Sequence, residues 1–187
     1  MRLRNRIFTL LTAILSAVVS SVVLAAPPSQ AAHKIIKGAL GSVVYNQCLW
    51  APASLSGALY TDACSGQGNT RAKWNIHYVS ENWEGYGNDM VVLESIQYPG
   101  KCLVLPGQGS AYLGTCNWTT EANYNTFEAF YAGYLLNGNP VYQMKSTTLW
   151  RQGQRNRCLG GGGNTPVVTW ECNNTLKLTY WTQSAVL

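Results

Sequence analysis

Charged side chains are scarce in this 187-residue chain, since Asp, Glu, Lys and Arg make up only 11% of it. It has eight acidic residues and two histidines, His33 and His77. A catalytic metal triad or a Ser-His-Asp set needs several such groups brought close together. The sequence therefore predicts a protein without a catalytic site, a metal site or a cofactor.

Paired carboxylates are the one enzymatic arrangement that this composition leaves open. Two carboxyl groups that flank a glycosidic bond can hydrolyse it. The candidate pairs are Glu81 with Glu84 and Glu121 with Glu128. Solvated surface charge is the simpler explanation of all four, and we expect no enzyme activity.

The net charge is also small once the N-terminus is set aside. The full chain has 13 basic and 8 acidic residues, but Arg2, Arg4 and Arg6 lie at its start, which leaves 10 basic residues against 8 acidic ones. A balance this close gives little bulk attraction to nucleic acid or to an anionic membrane. No nucleic-acid partner is expected.

A long apolar run occurs near the N-terminus, over residues 7–24. Arginines before it and small residues after it are typical of a secretory signal peptide, with cleavage after Ala25 or Ala31. An uncleaved membrane anchor is the alternative, because a run of 18 residues is long enough to span a bilayer. Serine and threonine dilute the run, so we favour a signal peptide over residues 1–32. The mature chain, residues 33–187, is then a single secreted domain without a membrane span.

The six cysteines contain no Cys-x-x-Cys motif. In an exported protein this pattern indicates disulfide bonds rather than a metal or redox site. Three Cys-Leu dipeptides, 54 and 56 residues apart, are each followed 14 to 16 residues later by a second cysteine. Because each pair lies at the same point of its repeat, we predict the bridges Cys48–Cys64, Cys102–Cys116 and Cys158–Cys172.

A large aromatic residue closes each repeat, 23 to 26 residues after its Cys-Leu dipeptide: Trp74, Phe127 and Trp181. The chain is therefore made of three divergent copies of one unit. Short β-branched and aromatic runs between Gly, Pro and Asn turn signals predict an all-β fold. The predicted strands are 42–45, 90–95 and 141–145, with 33–41 as a lead-in segment and 121–131 as loop and strand.

This repeat resembles the ricin B-type lectin domain over residues 41–187. The resemblance implies a β-trefoil, a fold of three similar lobes with four strands each, which three repeats are enough to close. In that family a Gln-x-Trp motif places its aromatic residue at the centre of the molecule. Trp74, Phe127 and Trp181 match this position and are expected to be core anchors.

The sugar-binding positions of that family are not kept. A galactose-binding lobe reads Cys-Leu-Asp, whereas the third residue is here Trp50, Val104 or Gly160. The glutamine of Gln-x-Trp is replaced by Ala72, Asn125 or Thr179. The stacking aromatic two residues before the second cysteine survives only as Trp170, with Asp62 and Gly114 in the other lobes. The resemblance thus implies a lectin scaffold with degenerate sugar sites.

Two lobes keep an aromatic residue on which a sugar ring could stack. The predicted ligand-binding residues are Trp170 with Glu171, Asn173 and Asn174 in the third lobe, Trp50 with Asp62 in the first, and Asn125 in the second. Packing is the alternative for both tryptophans, with Trp170 half-buried and Trp50 covering the Cys48–Cys64 bridge.

The preferred hypothesis is a secreted, non-catalytic carbohydrate-binding module that recognises a glycan through the third lobe. The alternative is a trefoil that has lost sugar binding and contacts a secreted or cell-surface protein, as a toxin accessory subunit or an inhibitor of a secreted hydrolase. A basic cluster suggests a further anionic ligand, unless it is a solvated loop: Lys145, Arg151, Arg155 and Arg157.

Overall fold

Short antiparallel strands make up most of the chain that the structure describes. The computed structural model describes residues 34–64, 69–80, 88–117, 126–134, 138–161, 163–172 and 179–185. The predicted signal peptide, residues 1–32, lies outside these ranges. No helix among the described residues is long and apolar enough to cross a membrane.

The strands fall into three sets of four, which we call lobes. Lobe 1 contains β1 (Lys34–Ser42), β2 (Gln47–Trp50), β3 (Tyr60–Ala63) and β4 (Trp74–Ser80). Lobe 2 contains β5 (Asp89–Ser95), β6 (Lys101–Val104), β7 (Tyr112–Thr115) and β8 (Thr126–Tyr134). Lobe 3 contains β9 (Pro140–Ser146), β10 (Arg157–Gly160), β11 (Val168–Glu171) and β12 (Tyr180–Ala185). A 3₁₀ turn (Thr70–Ala72) and one short helix, α1 (Thr147–Arg151), complete the described elements.

The first and last strands of the three lobes form a closed barrel. β1 pairs with β4, β4 with β5, β5 with β8, β8 with β9, and β9 with β12, all antiparallel. β12 then pairs with β1, so that no barrel strand has an open edge. The middle strands form three hairpins, β2–β3, β6–β7 and β10–β11.

The three hairpins are tied to one another by a ring of backbone hydrogen bonds. The N–H of Leu59 donates to the carbonyl of Ala111 (2.8 Å), Ala111 donates to Val167 (2.7 Å), and Val167 donates back to Leu59 (2.8 Å). All three residues are fully buried. The buried backbone N–H of each of these equivalent residues is thus satisfied by the carbonyl of the equivalent residue in another lobe. A closed ring of this kind needs all three lobes.

The core lies inside the barrel and is built from equivalent residues of the lobes. The Cys-Leu leucines are fully buried and belong to one cluster with the aromatic anchors: Leu49, Leu103, Leu159, Trp74, Phe127 and Trp181. The indole N–H of Trp74 donates to the Leu49 carbonyl (3.0 Å), and that of Trp181 donates to the Leu159 carbonyl (2.8 Å). The three predicted core anchors are therefore confirmed.

The disulfide bonds follow the repeat as predicted. They join Cys48 to Cys64, Cys102 to Cys116 and Cys158 to Cys172. Each bridge stays within its own lobe and closes the hairpin of that lobe. The all-β, β-trefoil fold with one bridge in each lobe is confirmed.

Some local predictions are wrong, although the strands near 90–95 and 141–145 are confirmed. Residues 34–41, predicted as part of a lead-in segment, lie in β1, whereas residues 43–45 of the predicted first strand lie in a turn. β1 has little intrinsic strand propensity at Gly38, Ala39 and Gly41, but it pairs with β12, β4 and β2. Of the predicted loop and strand at 121–131, residues 126–131 lie in β8, and 121–125 are outside the described residues.

Candidate functional site

The hairpin of lobe 3 presents one large exposed indole. Trp170 lies on β11 opposite Cys158 and is 41% exposed. Its ring packs over Gly160, where an added Cβ would be only 2.2 Å from the indole Cδ1. An aspartate at this position, as in the Cys-Leu-Asp of the sugar-binding lobes, would displace the indole. The glycine at 160 and the indole of Trp170 are thus complementary parts of one packing arrangement.

In lobe 2 the small and the large residue of this pair exchange positions. Val104, the equivalent of Gly160, is buried, and Gly114, the equivalent of Trp170, has no side chain. A Cβ on Gly114 would be 2.7 Å from the Val104 Cγ2. The space that the indole occupies in lobe 3 is filled by valine here, so the hairpin of lobe 2 has no stacking platform at this position.

In lobe 1 the predicted platform Trp50 is largely engaged in packing. It is half-buried and packs against the cluster that contains Cys48 and Cys64. The guanidinium carbon of Arg71 lies 5.6 Å from the Trp50 ring centroid and 5.5 Å from that of Tyr60. Such cation–π contact occupies an aromatic face. These contacts agree with the alternative in which Trp50 covers the bridge.

Arg71 is held in place by two further hydrogen bonds. Its Nη2 donates to the Tyr60 hydroxyl (2.6 Å) and its Nε donates to the Ala51 carbonyl (3.1 Å). Asp62, the other predicted residue of this lobe, pairs with Cys48, two cross-strand pairs away from Trp50, and accepts from the Ala63 N–H (2.7 Å). The sugar site predicted for lobe 1 stays a prediction.

An open groove of about 440 Å³ lies beside Trp170. All three lobes contribute to its walls, which are formed by Tyr45, Ser110, Gly161, Thr165, Pro166, Val168 and Trp170. Tyr45 is 46% exposed and comes from the turn between β1 and β2. Sequence reasoning found Trp170 but missed the other lining residues. No family motif marks them, and Tyr45 was predicted to be in a strand.

The side chain of Gln47 forms hydrogen bonds between the lobe 1 side and the lobe 3 side of this groove. Its Oε1 accepts from the N–H groups of Gly163 (2.9 Å) and Asn164 (3.3 Å), and from the Thr61 hydroxyl (3.1 Å). Its Nε2 donates to the Asn164 side chain. Gln47 follows the turn that carries Tyr45, so these bonds join the turn of lobe 1 to the β10–β11 loop of lobe 3.

Of the other residues predicted around Trp170, the structure describes only Glu171, which does not line the groove. Glu171 is exposed, but it is the residue after Trp170 on β11, and successive strand residues point to opposite faces. Asn173, Asn174 and Asn125 lie outside the described residues. Thr179, which replaces the glutamine of Gln-x-Trp, is fully buried.

The Thr179 hydroxyl has a structural role. It donates to the Cys172 carbonyl (3.1 Å) and accepts from the amide of Gln143 (3.0 Å). The equivalent positions in lobe 1 are Ala72 and Ala39, which pack together in one apolar cluster. The pair Gln143 and Thr179 in lobe 3 thus occupies the place of the pair Ala39 and Ala72 in lobe 1. Both pairs are buried, so neither can contact a ligand.

The basic cluster lies on α1, the turn after it and the adjoining strands. Arg151 and Arg155 are exposed, and the Arg155 guanidinium carbon lies 5.1 Å from the Trp150 ring centroid. Arg157 pairs across the hairpin with Glu171, which lowers the local positive charge. None of these residues lines the groove beside Trp170. An anionic ligand at this cluster stays a prediction.

His77 and Glu94 form a mostly buried pair at the junction of lobes 1 and 2. The His77 Nε2 lies 2.8 Å from the Glu94 Oε2, and the side chains are 9% and 15% exposed. Glu94 also accepts from the Gly100 N–H (2.8 Å) and the Asn75 amide (3.1 Å). Among the described residues no three His, Cys, Asp or Glu side chains are placed to hold a metal ion. Through these hydrogen bonds the pair joins β4 to β5 and to the turn before β6.

These contacts change the ionisation of Glu94. Burial alone raises its pKa, but the hydrogen bonds from Gly100, Asn75 and His77, together with the charge of His77, lower the pKa below its ordinary value. The folded state therefore binds the Glu94 proton more weakly than the unfolded chain does. The resulting stabilisation is present above the unfolded pKa, about 4.3, and is lost as pH falls through the lower folded pKa.

We expect Glu94→Gln to make the free energy of unfolding less dependent on pH below about pH 5. The variant should be less stable than the wild type at pH 7, and the difference between them should shrink as pH falls from about 5 to about 3. Urea unfolding at a series of pH values measures this. A constant difference over that range would show that ionisation of Glu94 does not contribute to stability.

Comparison with known proteins identifies the fold and does not assign a family. No protein-family model matches the chain, and no curated protein sequence matches it. Among solved structures, a lectin from Polyporus squamosus, bound to the epitope Neu5Acα2-6Galβ1-4GlcNAc, is similar with a TM-score of 0.57 at 16% identity. The alignment covers 80% of this chain and 49% of that lectin chain.

Two further structures are similar at the same level. A mosquitocidal holotoxin is similar with a TM-score of 0.55 at 14% identity. The alignment covers 81% of this chain and 17% of the holotoxin chain. The BEL β-trefoil in its apo form gives 0.54 at 10% identity, over 80% of this chain and 92% of that one. This chain thus spans less than half the length of the holotoxin and of the Polyporus squamosus lectin chain. At identities this low, the structural similarity shows a shared β-trefoil fold and nothing finer.

Proposed function

We propose that this protein is a secreted, non-catalytic carbohydrate-binding module that binds its glycan in the groove of lobe 3. The observation that carries the proposal is the exposed indole of Trp170, held over Gly160 at the wall of an open groove. A flat aromatic face that is fixed before the ligand arrives suits the apolar face of a sugar ring. Neighbouring groups then have to supply the hydrogen bonds.

Hydroxyl groups in the groove fit that second role. Ser110 and Thr165 line it, and a hydroxyl can both donate to and accept from a sugar hydroxyl. Asn173 and Asn174 follow Trp170 in the chain and are proposed as further ligands. Glu171, Trp50, Asp62 and Asn125 remain weaker candidates because no described contact places them in the groove. The trefoil neighbours support a lectin-like module, since one of them is a lectin bound to a glycan.

Degenerate sites in the other lobes are part of the proposal. Val104 fills the platform position of lobe 2, and Arg71 lies over the ring of Trp50 in lobe 1. Lobe 3 would then be the principal site.

Replacing Trp170 with alanine tests the proposal. We expect the wild type to bind a set of glycans on an array or to be retained by cell-wall polysaccharides, and we expect Trp170→Ala to weaken that binding about tenfold or more, because the stacking surface is lost. Tyr112→Ala is the matched control, since Tyr112 is 45% exposed and does not line the groove. Absence of saturable binding to any glycan by the wild type would refute the proposal.

Protein contact is the second candidate, favoured by apolar side chains exposed outside the groove. Val44 is 44% exposed and Leu55 is 47% exposed, both in lobe 1. Residues of this kind are enriched in protein interfaces when they belong to a continuous patch. Stable capture of a defined protein from the secretome by the wild type, lost in a Val44→Ser/Leu55→Ser variant, would favour this candidate over the glycan.

A further inference from the structure

The groove beside Trp170 has two exposed aromatic walls that come from different lobes. Trp170 belongs to the β10–β11 hairpin, and Tyr45 belongs to the turn between β1 and β2, 125 residues earlier in the chain. Both side chains are more than two fifths exposed. Each can offer an aromatic face to one sugar ring. A ligand that used both would have to extend across the boundary between lobes 3 and 1.

The boundary between these lobes is held by specific hydrogen bonds. Gln47 binds the backbone of Gly163 and Asn164, and the Tyr45 ring passes within 3.9 Å of the position that a Cβ on Gly163 would take. Asn46 and Asn164 both adopt positive φ, 49° and 59°, so both segments follow sharply defined turns. The two walls are thus fixed relative to each other before binding. Preorganisation of this kind lowers the entropic cost of holding an extended ligand.

The charge of the groove limits the class of ligand. None of the described residues that line it carries a charge, since they are two aromatic residues, two hydroxyl residues, two aliphatic residues and a glycine. An anionic sugar would lose hydration there without gaining a charged partner from these residues. A volume of about 440 Å³ falls within the range of about 300 to 1,000 Å³ that is typical of ligand sites.

We infer that the groove is a composite site in which Tyr45 of lobe 1 is a second stacking platform, and that its ligand is an uncharged oligosaccharide of at least two sugar rings. This inference rests on the proposed function. It adds that affinity depends on chain length, that the dependence comes from Tyr45, and that Gln47 positions Tyr45 against the wall of lobe 3.

The experiment compares ladders of neutral oligosaccharides from one to six units with an anionic ladder. The neutral probes are β-1,4-linked oligomers of glucose, galactose, xylose, mannose and N-acetylglucosamine, and the anionic probe is oligogalacturonate. Dissociation constants are measured by calorimetry for the wild type, Tyr45→Ala, Gln47→Ala, Trp170→Ala and the control Tyr112→Ala. The Tyr45 side chain is exposed, so its removal should leave the urea unfolding midpoint unchanged.

For the wild type we expect affinity for one neutral series to rise about tenfold between one unit and two or three units. Tyr45→Ala should remove this rise, so that the longer oligomers bind no more tightly than the monosaccharide does, and Gln47→Ala should reduce the rise. Trp170→Ala should weaken binding at every length. Oligogalacturonate should bind more weakly than the preferred neutral series.

Two different failures can be told apart. If the wild type binds none of these ladders and no glycan on an array, the proposed function fails and this inference fails with it. If the wild type binds a glycan in a Trp170-dependent way but Tyr45→Ala keeps the same dependence on chain length, only the composite site is overturned. Preference for the anionic ladder would likewise overturn the inference about charge and leave the proposed function standing.

Discussion

Replacing Trp74 with alanine is expected to lower the free energy of unfolding by about 3–5 kcal/mol. Trp74 is fully buried in the central cluster, so the change removes a large apolar surface and leaves a cavity between the lobes. It also removes the donor that its indole N–H offers to the Leu49 carbonyl at 3.0 Å. Domains of this size are stable by only about 5–15 kcal/mol, so the variant should lose a large share of its stability.

The matched control is Trp74→Phe, because the fold already accepts phenylalanine at the equivalent place in lobe 2, where Phe127 is fully buried. Most of the ring surface is kept, and the loss should be about 1–2 kcal/mol, chiefly from the missing hydrogen bond. Urea unfolding followed by circular dichroism measures both variants. A loss below about 1 kcal/mol for Trp74→Ala would contradict the central role assigned to this residue.

Removal of the Cys102–Cys116 bridge by a double alanine substitution should cost about 3 kcal/mol of stability. The bridge closes a loop with a sequence separation of 14 residues, and opening it gives the unfolded chain more conformational freedom. The bridges of lobes 1 and 3 have separations of 16 and 14 residues and should make similar contributions. Since the three lie in separate hairpins, their contributions should add approximately.

Full reduction is then expected to unfold the protein, because three losses of about 3 kcal/mol each approach or exceed the stability of a typical domain. Thermal unfolding with and without a reducing agent, compared with the three double-alanine variants, tests this. A reduced protein that keeps its unfolding midpoint would show that the barrel alone determines stability. The double variants avoid the free thiol that a single substitution would leave, so reshuffling cannot confuse the result.

The repeat in the sequence was sufficient to predict the scaffold. Cys-Leu followed by a second cysteine and a closing aromatic predicted the bridges, the core anchors and the trefoil, and all of these are confirmed. The spacing of the repeat predicted the bridges, because equivalent residues pack alike in each lobe, whereas the trefoil and the core anchors were implied by the resemblance to ricin B-type lectin domains. The short helix α1 was not predicted because it has only five residues, with a cap in which the Leu149 N–H donates to the Ser146 hydroxyl.

Strand β1 shows a different limit of sequence reasoning. Its glycines and alanine argue against a strand when they are read one at a time. In the folded chain it pairs with β12 and β4 as part of the barrel, and with β2 at its end. Partners from both ends of the chain stabilise this strand, and local propensity contains no information about them.

For this protein the sequence by itself determined the number of lobes, the disulfide pairing and the three aromatic core anchors, and it predicted Trp170 as a candidate platform. Only the tertiary structure decided what surrounds that platform. It shows why a glycine is required at position 160, since the indole of Trp170 occupies the space that a side chain would need there. It also brings Tyr45 and Ser110 to the same groove as Trp170. The physical reason is that the groove crosses lobe boundaries, and contacts between distant segments leave no periodic trace in the order of the residues.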